Sequence, residues 1–124
     1  MKLAERAIAA AGAKSETDTP VLDNLRGVAK AEIERASGKP QTALAILKPL
    51  VNGSELYVTH VALMDAYIDA HDNAGTLTEA RWLSSHRGRA YMEYNAQQVL
   101  TPFNVAESNF AFSRAVKLSK VLGK

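Results

Sequence analysis

The spacing of apolar residues is the feature that most limits how this chain folds. Apolar side chains recur every three or four positions in several segments, and glycine or proline stands between these segments. No stretch alternates apolar and polar residues over a useful length, so the pattern is that of amphipathic helices and not of half-buried strands. With 124 residues, 47% of them apolar, the chain has the size and composition of one globular domain. We therefore predict a single all-α domain over residues 1–124, with six helices and no sheet.

Proline and glycine predict where the first three helices begin and end. A short helix is expected over residues 2–13. The second helix begins at Pro20, where a missing N–H is harmless, and Gly38 ends it. The third helix begins near Pro40, and Pro49 terminates or kinks it. The apolar side of the second helix is expected to consist of Leu22, Leu25, Val28, Ala29, Ile33 and Ala36.

Capping signals divide the second half of the chain. The fourth helix is predicted over about residues 55–74, with Gly75 at its end. Thr76 and Glu79 are three residues apart, which is the pattern of a capping box, and they open the fifth helix. The other predicted signals are a cap at Ser54, a weak point at Gly88, and a cap of the last helix formed by Asn104 and Glu107.

A short internal repeat accompanies these helices. The stretches ASGKPQTA (residues 36–43) and NAGTLTEA (residues 73–80) each hold a glycine followed five residues later by an alanine, and they lie 37 residues apart. In each stretch, one helix is predicted to end at the glycine and the next to start within a few residues. The small alanine lets the two helices approach closely. Two antiparallel helical hairpins are therefore expected, over about residues 20–51 and 55–95.

At these residues the chain resembles the tetratricopeptide repeat (TPR) family. The family has a glycine in the turn and a small residue early in the second helix, which match Gly38 with Ala43 and Gly75 with Ala80. The family period is about 34 residues, slightly shorter than the spacing of the two copies. The resemblance implies a right-handed α-α superhelix of stacked antiparallel hairpins with flanking helices. It also implies a scaffold that binds a peptide or partner domain, within a larger bacterial signalling protein.

The resemblance further implies where a partner binds, because the first helix of each family hairpin lines a concave groove. Independently, Asp65, Asp69 and Asp72 are spaced four and three apart, so they share one face of a helix. An acidic groove of this kind favours a basic peptide, through association rate and specificity. A solvated helix face is the other interpretation of the same residues. The predicted groove residues are Asp65, Asp69, Asp72, Asn73, Glu32 and Arg35.

The stretch HRGRAYMEY (residues 86–94) and its surroundings allow a different function. Arg81, Arg87 and Arg89 make this region basic, and aromatic rings lie between the cations, a mixture that suits single-stranded nucleic acid. An ordinary helix explains the same residues, with Arg89 paired to Glu93 one turn later. The net charge is only +2, which gives nucleic acid no general support. Nucleic-acid binding through the three arginines is therefore kept as the alternative function.

No catalytic or metal-binding signature is visible in the sequence. The chain has no cysteine, and it lacks the metalloprotease, phosphate-loop and serine-hydrolase motifs. His60 and His71 would lie about 16 Å apart along one helix, which is too far to share a metal ion. The adjacent pair of His71 and Asp72 remains as the candidate for a small enzyme or ligand binder. We predict no enzyme activity, no metal and no cofactor.

The last predicted helix has an apolar face and a basic flank. We expect it to pack against the preceding hairpin, and the alternative is a helix that lies on a membrane surface or docks on a neighbour. No segment has the roughly 18 apolar residues that a membrane span needs. The absence of cysteine and of a signal-peptide pattern predicts a cytoplasmic location. The apolar face holds Ala111, Ala115, Leu118 and Leu122, and the flank holds Arg114, Lys117, Lys120 and Lys124.

Overall fold

The computed structural model of the protein describes Arg6, residues 20–93 and residues 101–123. This part of the chain contains helices and no strand, so the all-α prediction is confirmed. The helix predicted over residues 2–13 lies outside the described residues, apart from Arg6. The helices are α1 (Pro20–Ala36), α2 (Pro40–Leu47), α3 (Tyr57–Asp69), α4 (Asn73–Ser85), α5 (Arg87–Met92) and α6 (Thr101–Leu122), and a 3₁₀ turn, Lys48–Leu50, follows α2.

The helices form two hairpins and a final long helix. α1 packs on α2 and α3 packs on α4, while α6 packs on α4 and α5, as expected for the last helix. α3 also contacts α1 and α2 and contributes to two apolar clusters, so it lies at the centre of the fold. The first cluster is formed by Val28, Ala31, Ala43, Leu44, Leu47, Ala62, Leu63 and Ala66, and the second by Tyr57, Met64, Leu77, Ala80, Leu83, Ala90, Ala111 and Ala115.

The buried side of α1 differs from the predicted apolar stripe. Leu22 and Leu25 are exposed, whereas Asn24 is buried. The side-chain amide of Asn24 donates to the carbonyl of Leu50 at 3.4 Å, and its side-chain oxygen accepts from the hydroxyl of Thr59 in α3. These hydrogen bonds offset the cost of burying an amide, so a polar residue can face the interior. The buried residues of α1 are Asn24, Val28 and Ala31.

Gly38 forms the turn between α1 and α2, as predicted. Its φ of 76° lies in the left-handed region, which glycine adopts without a steric penalty. The N–H of Gly38 donates to the carbonyl of Arg35 at 2.9 Å, and the N–H of Lys39 donates to the carbonyl of Glu34 at 3.0 Å. This pair of bonds is a Schellman motif, which satisfies two carbonyls at the end of α1.

The second hairpin turns at His71, and the prediction that Gly75 ends the helix is wrong. His71 has a φ of 57°. Its N–H donates to the carbonyl of Ile68 at 3.0 Å, and the next N–H, of Asp72, donates to the carbonyl of Tyr67 at 2.9 Å. The Schellman motif therefore recurs with its left-handed residue at positions 38 and 71, which are 33 residues apart. The two glycine–alanine stretches, 37 residues apart, occupy different places in their hairpins.

Gly75 lies in the first turn of α4 because Asp72 caps that helix. The carboxylate of Asp72 accepts from the N–H of Gly75 at 2.9 Å. A Cβ at position 75 would lie 2.4 Å from the ring of Tyr67, so the glycine permits close packing of α3 on α4. The predicted capping box is wrong, because the hydroxyl of Thr76 donates to the carbonyl of Asp72 and Glu79 bonds a side chain of α3.

Three further boundaries differ from the predictions. The predicted fifth helix is interrupted at His86, two residues before Gly88, and becomes α4 and α5. The last helix begins at Thr101, and Asn104 is buried inside it instead of capping it. The expected cap at Ser54 is absent as well, since α3 has no side-chain cap from its own segment. Capping signals are short and recur by chance, so packing decides which of them is used.

Candidate functional site

Four of the six predicted groove residues form one ion-pair cluster where α1 meets α3. The guanidinium of Arg35 lies at its centre. Its Nη2 is 2.7 Å from Oε2 of Glu32 and 3.9 Å from Oδ2 of Asp65, and its Nη1 is 3.0 Å from Oδ2 of Asp69. Glu32 belongs to α1 and the two aspartates belong to α3, so the cluster joins the first helices of both hairpins. We call Glu32, Arg35, Asp65 and Asp69 the Arg35 cluster.

The Arg35 cluster carries more negative than positive charge. Three carboxylates face one guanidinium, and the four side chains are between 29% and 42% exposed. Burial raises the pKa of Asp65 to about 6, Arg35 opposes this rise, and nearby carboxylates, Glu107 first, add to it. The hydrogen bond to Glu32 raises the pKa of Arg35 against the effect of burial. At neutral pH the cluster therefore has two more negative than positive charges on a surface open to solvent.

The other two predicted groove residues, Asp72 and Asn73, lie outside the Arg35 cluster. Asp72 does not share the face of the other aspartates because α3 ends at Asp69. Its carboxylate caps α4, and the exposed Asn73 is the first residue of that helix. Asn73 and His71 line a groove of about 500 Å³ against α6. The candidate pair of His71 and Asp72 thus has two separate structural tasks, a turn and a cap.

The three arginines of the nucleic-acid alternative have different surroundings in the structure. Arg89 is bound within the chain, because its Nη2 lies 2.7 Å from Oε1 of Glu93 and donates to the carbonyl of Glu55 at 2.6 Å. The predicted pairing of Arg89 with Glu93 is therefore confirmed. Arg81 and Arg87 instead line a groove between α4 and α6. Two of the three cations therefore line this groove, and Arg89 does not.

Glu93 caps the N-terminus of α3 from a distance. The N–H of Tyr57, the first residue of α3, donates to Oε2 of Glu93. The side chain of Glu93 is only 11% exposed, and Arg89 neutralises it from the other side. A carboxylate at this end of a helix satisfies a free N–H and complements the positive end of the helix dipole. The link explains why α3 folds without a cap of its own.

A buried polar network, absent from the sequence predictions, connects α3 with α4. His60 Nδ1 lies 2.7 Å from Oε2 of Glu79, and His60 Nε2 lies 3.7 Å from Oε1 of Glu55. The ring of His60 stacks on Trp82 at 3.4 Å between centroids, and Trp82 stacks on His86 at 4.1 Å. Burial alone would raise the pKa of Glu55, but hydrogen bonds from backbone N–H groups lower it. No local motif marks these residues, since they meet only when the helices pack.

The described residues contain no group of three His, Asp or Glu side chains arranged to hold a metal ion. Within the same ranges, no helix combines the length and the apolarity that crossing a bilayer requires. The class that the fold defines is an all-α protein of packed helical hairpins. No protein-family model, curated protein or solved structure matches this chain. Its function is therefore inferred from its own surfaces.

Proposed function

We propose that this protein is a TPR-like scaffold that binds a basic peptide or partner segment at the Arg35 cluster. The observation that carries the proposal is the convergence of three carboxylates, from the first helices of both hairpins, on one partly exposed face. Their excess negative charge would attract a Lys or Arg side chain of the partner. A cytoplasmic location, a role without enzyme activity and a place in a larger bacterial signalling protein belong to the same proposal.

The hairpin turns support the TPR-like part of the proposal. The turn residues Gly38 and His71 are 33 residues apart, close to the family period of about 34 residues. Ala43, which the resemblance to the family places at a helix contact, is fully buried in α2. The helices that line the groove in the family correspond here to α1 and α3, and these are the helices that carry the Arg35 cluster.

An internal brace is the competing explanation, because Arg35 already bonds the surrounding carboxylates. An ionised carboxylate has room for about four hydrogen bonds. Glu32 and Asp69 keep 38% and 42% of their side chains exposed, so acceptor positions remain for a donor from a partner. Ion pairs with this degree of exposure contribute at most about 1 kcal/mol to stability. Removing the two exposed charges should therefore affect binding more than folding.

Selection from a random peptide library tests the proposal. Peptides are selected on the wild-type protein, and their affinities are then measured for the Glu32→Gln/Asp69→Asn variant. We expect enrichment of Lys and Arg, and an affinity loss of about tenfold or more in the variant. The matched control, Asp23→Asn/Glu34→Gln, removes two charges elsewhere on α1 and should change affinity by less than about twofold.

Selected peptides without basic enrichment would contradict the proposal, and so would an equal loss in the control variant. Amide substitutions are preferable to charge reversal at Asp65 and Asp69. Two lysines beside Arg35 would repel it and weaken the contact between the hairpins, which would confuse lost binding with lost packing. Circular dichroism melts of both variants establish that the helices remain folded.

A further inference from the structure

The outward surface of α6 is more apolar than the fold requires. All three phenylalanines of the chain, Phe103, Phe110 and Phe112, lie on this helix and are 67%, 49% and 53% exposed. A helix that only completed the core would bury its largest apolar side chains. The buried residues of α6 are instead small or polar, namely Asn104, Ser108, Ala111 and Ala115.

One side of this surface forms a groove with basic walls. Phe112 and Val116 of α6 contribute apolar atoms, and Arg81, Arg87 and Lys120 contribute cations. The groove runs between α4 and α6 and has a volume of about 590 Å³. We call these five residues the basic groove. Apolar surface bordered by charges of one sign is typical of a place where an amphipathic segment binds.

The two arginines of the basic groove have neutral hydrogen-bond partners. Arg81 donates from Nη2 to Oγ of Ser119 at 3.0 Å. Arg87 donates from Nε to Oγ of Ser108 at 3.0 Å and from Nη2 to the side-chain oxygen of Asn109. Among the residues that the structure describes, no carboxylate oxygen lies within 4.0 Å of a nitrogen of the basic groove. The described part of the chain therefore supplies no counter-charge for this positive charge.

We propose that the basic groove binds an acidic amphipathic segment of a partner protein. Its Asp and Glu side chains bond to Arg81, Arg87 and Lys120, and its apolar side chains cover Phe112 and Val116. A guanidinium has five N–H donors, so both arginines keep donors beyond their present bonds. The basic groove is separate from the Arg35 cluster and opposite in charge. It therefore adds a second kind of partner to the proposed scaffold.

Two other anionic occupants fit the basic groove less well. Single-stranded nucleic acid stacks successive bases on several aromatic faces along a basic track, but Phe112 is the one aromatic residue among those lining the basic groove. Arg89, which would extend the basic surface, is held by Glu93. An anionic bilayer is flat, whereas the basic groove, although open to solvent, follows the line between two packed helices, α4 and α6. A helix with one acidic and one apolar face matches both the chemistry and the shape.

Two labelled peptides with the same amphipathic leucine pattern test the proposal, one with glutamate and one with lysine at the polar positions. The wild-type protein should bind the glutamate peptide. Arg81→Gln/Lys120→Gln should weaken this binding about tenfold or more, and Phe112→Ser should also weaken it. The matched control, Arg114→Gln/Lys117→Gln, removes the same charge from the other side of α6, where both residues line a different groove. It should change the affinity by less than about threefold.

Failure of the wild-type protein to bind the glutamate peptide would overturn the proposal, as would an equal loss in the control variant. Binding of oligothymidine or of phosphatidylserine vesicles that is lost in Arg81→Gln/Lys120→Gln, without glutamate-peptide binding, would assign the basic groove to nucleic acid or membrane instead. Sedimentation equilibrium tests for a dimer. A dimer that is lost both in Arg81→Gln/Lys120→Gln and in Glu32→Gln/Asp69→Asn would assign the basic groove to a second copy of this protein. The Arg35-cluster variant should keep glutamate-peptide binding, so the two proposals fail independently.

Discussion

Replacing Gly75 with alanine tests how closely α3 packs on α4. A Cβ at this position would lie 2.4 Å from Cδ1, 2.5 Å from Cε1 and 2.7 Å from Cγ of Tyr67. Carbon atoms in contact prefer separations of about 3.5–4.0 Å, so the ring or a helix must move by roughly 1 Å. Overpacking of this kind costs about 1–3 kcal/mol, and the helix preference of alanine over glycine returns up to ~1 kcal/mol. We expect a net loss of about 1–2 kcal/mol.

Urea and thermal unfolding measure this loss, which should lower the midpoint temperature by roughly 3–10 °C. Gly88→Ala is the matched control, because among the described residues a Cβ there would meet no atom within 4 Å beyond its chain neighbours and the backbone of α5, and it should be neutral or stabilising. In a Tyr67→Ala background the cost of Gly75→Ala should disappear, since the colliding ring is gone. A stable Gly75→Ala protein, or a cost that is unchanged without the ring, would refute the packing explanation.

The remaining predictions concern two carboxylates. The folded-state pKa of Asp65 is raised from 3.8 to about 6, so the folded protein binds more protons than the unfolded chain in this interval and loses stability as the pH rises through it. Relative to the wild type, the free energy of unfolding of Asp65→Asn should rise by on the order of 1 kcal/mol as the pH increases from ~4 to ~6, measured by urea titrations. A difference in stability that does not change with pH would rule out the raised pKa. Glu93→Ala removes the acceptor of the Tyr57 N–H and the anionic partner of Arg89, so stability should fall by about 1–2 kcal/mol. Hydrogen exchange should also accelerate in the first turn of α3, and unchanged protection there would exclude the capping role.

Local sequence signals predict the helices well but not every buried face. Apolar spacing gives the buried side of α2, where Ala43, Leu44 and Leu47 are buried, but only part of that of α6, where Asn104 and Ser108 are buried beside Ala111 and Ala115. It fails for α1, where Asn24 is buried through bonds to Leu50 and Thr59, residues distant in the chain. The turn at His71 is missed for a different reason. A histidine with a positive φ is uncommon, and the sequence gives no signal for it of the kind that a glycine gives. The end of the helix is therefore predicted at Gly75, whereas the turn lies four residues earlier, at His71.

For the candidate surfaces, too, the sequence predicts what lies along one helix but not what meets when two helices pack. Helical spacing places Asp65 and Asp69 on one face, and the structure brings them to Arg35. Neither spacing nor composition indicates the basic groove, because Arg81 and Lys120 come from different helices and meet only when α6 packs on α4. The sequence also groups Arg89 with Arg81 and Arg87, although Arg89 is already paired with the carboxylate of Glu93.

Pairing with a carboxylate distinguishes two of the arginines at the candidate surfaces from two others. Arg35 and Arg89 have carboxylate partners within 3 Å and hold segments of the chain together. Arg81 and Arg87 have only neutral partners among the described residues, so their charge stays available to another molecule. The small net charge of +2 therefore hides a separation of charge, with an acidic excess on α3, which has two aspartates and no Lys or Arg, and a basic excess on α6, which has three cations and one glutamate. An even distribution of the same charges would attract neither kind of partner, whereas this one gives a single chain two surfaces of opposite selectivity.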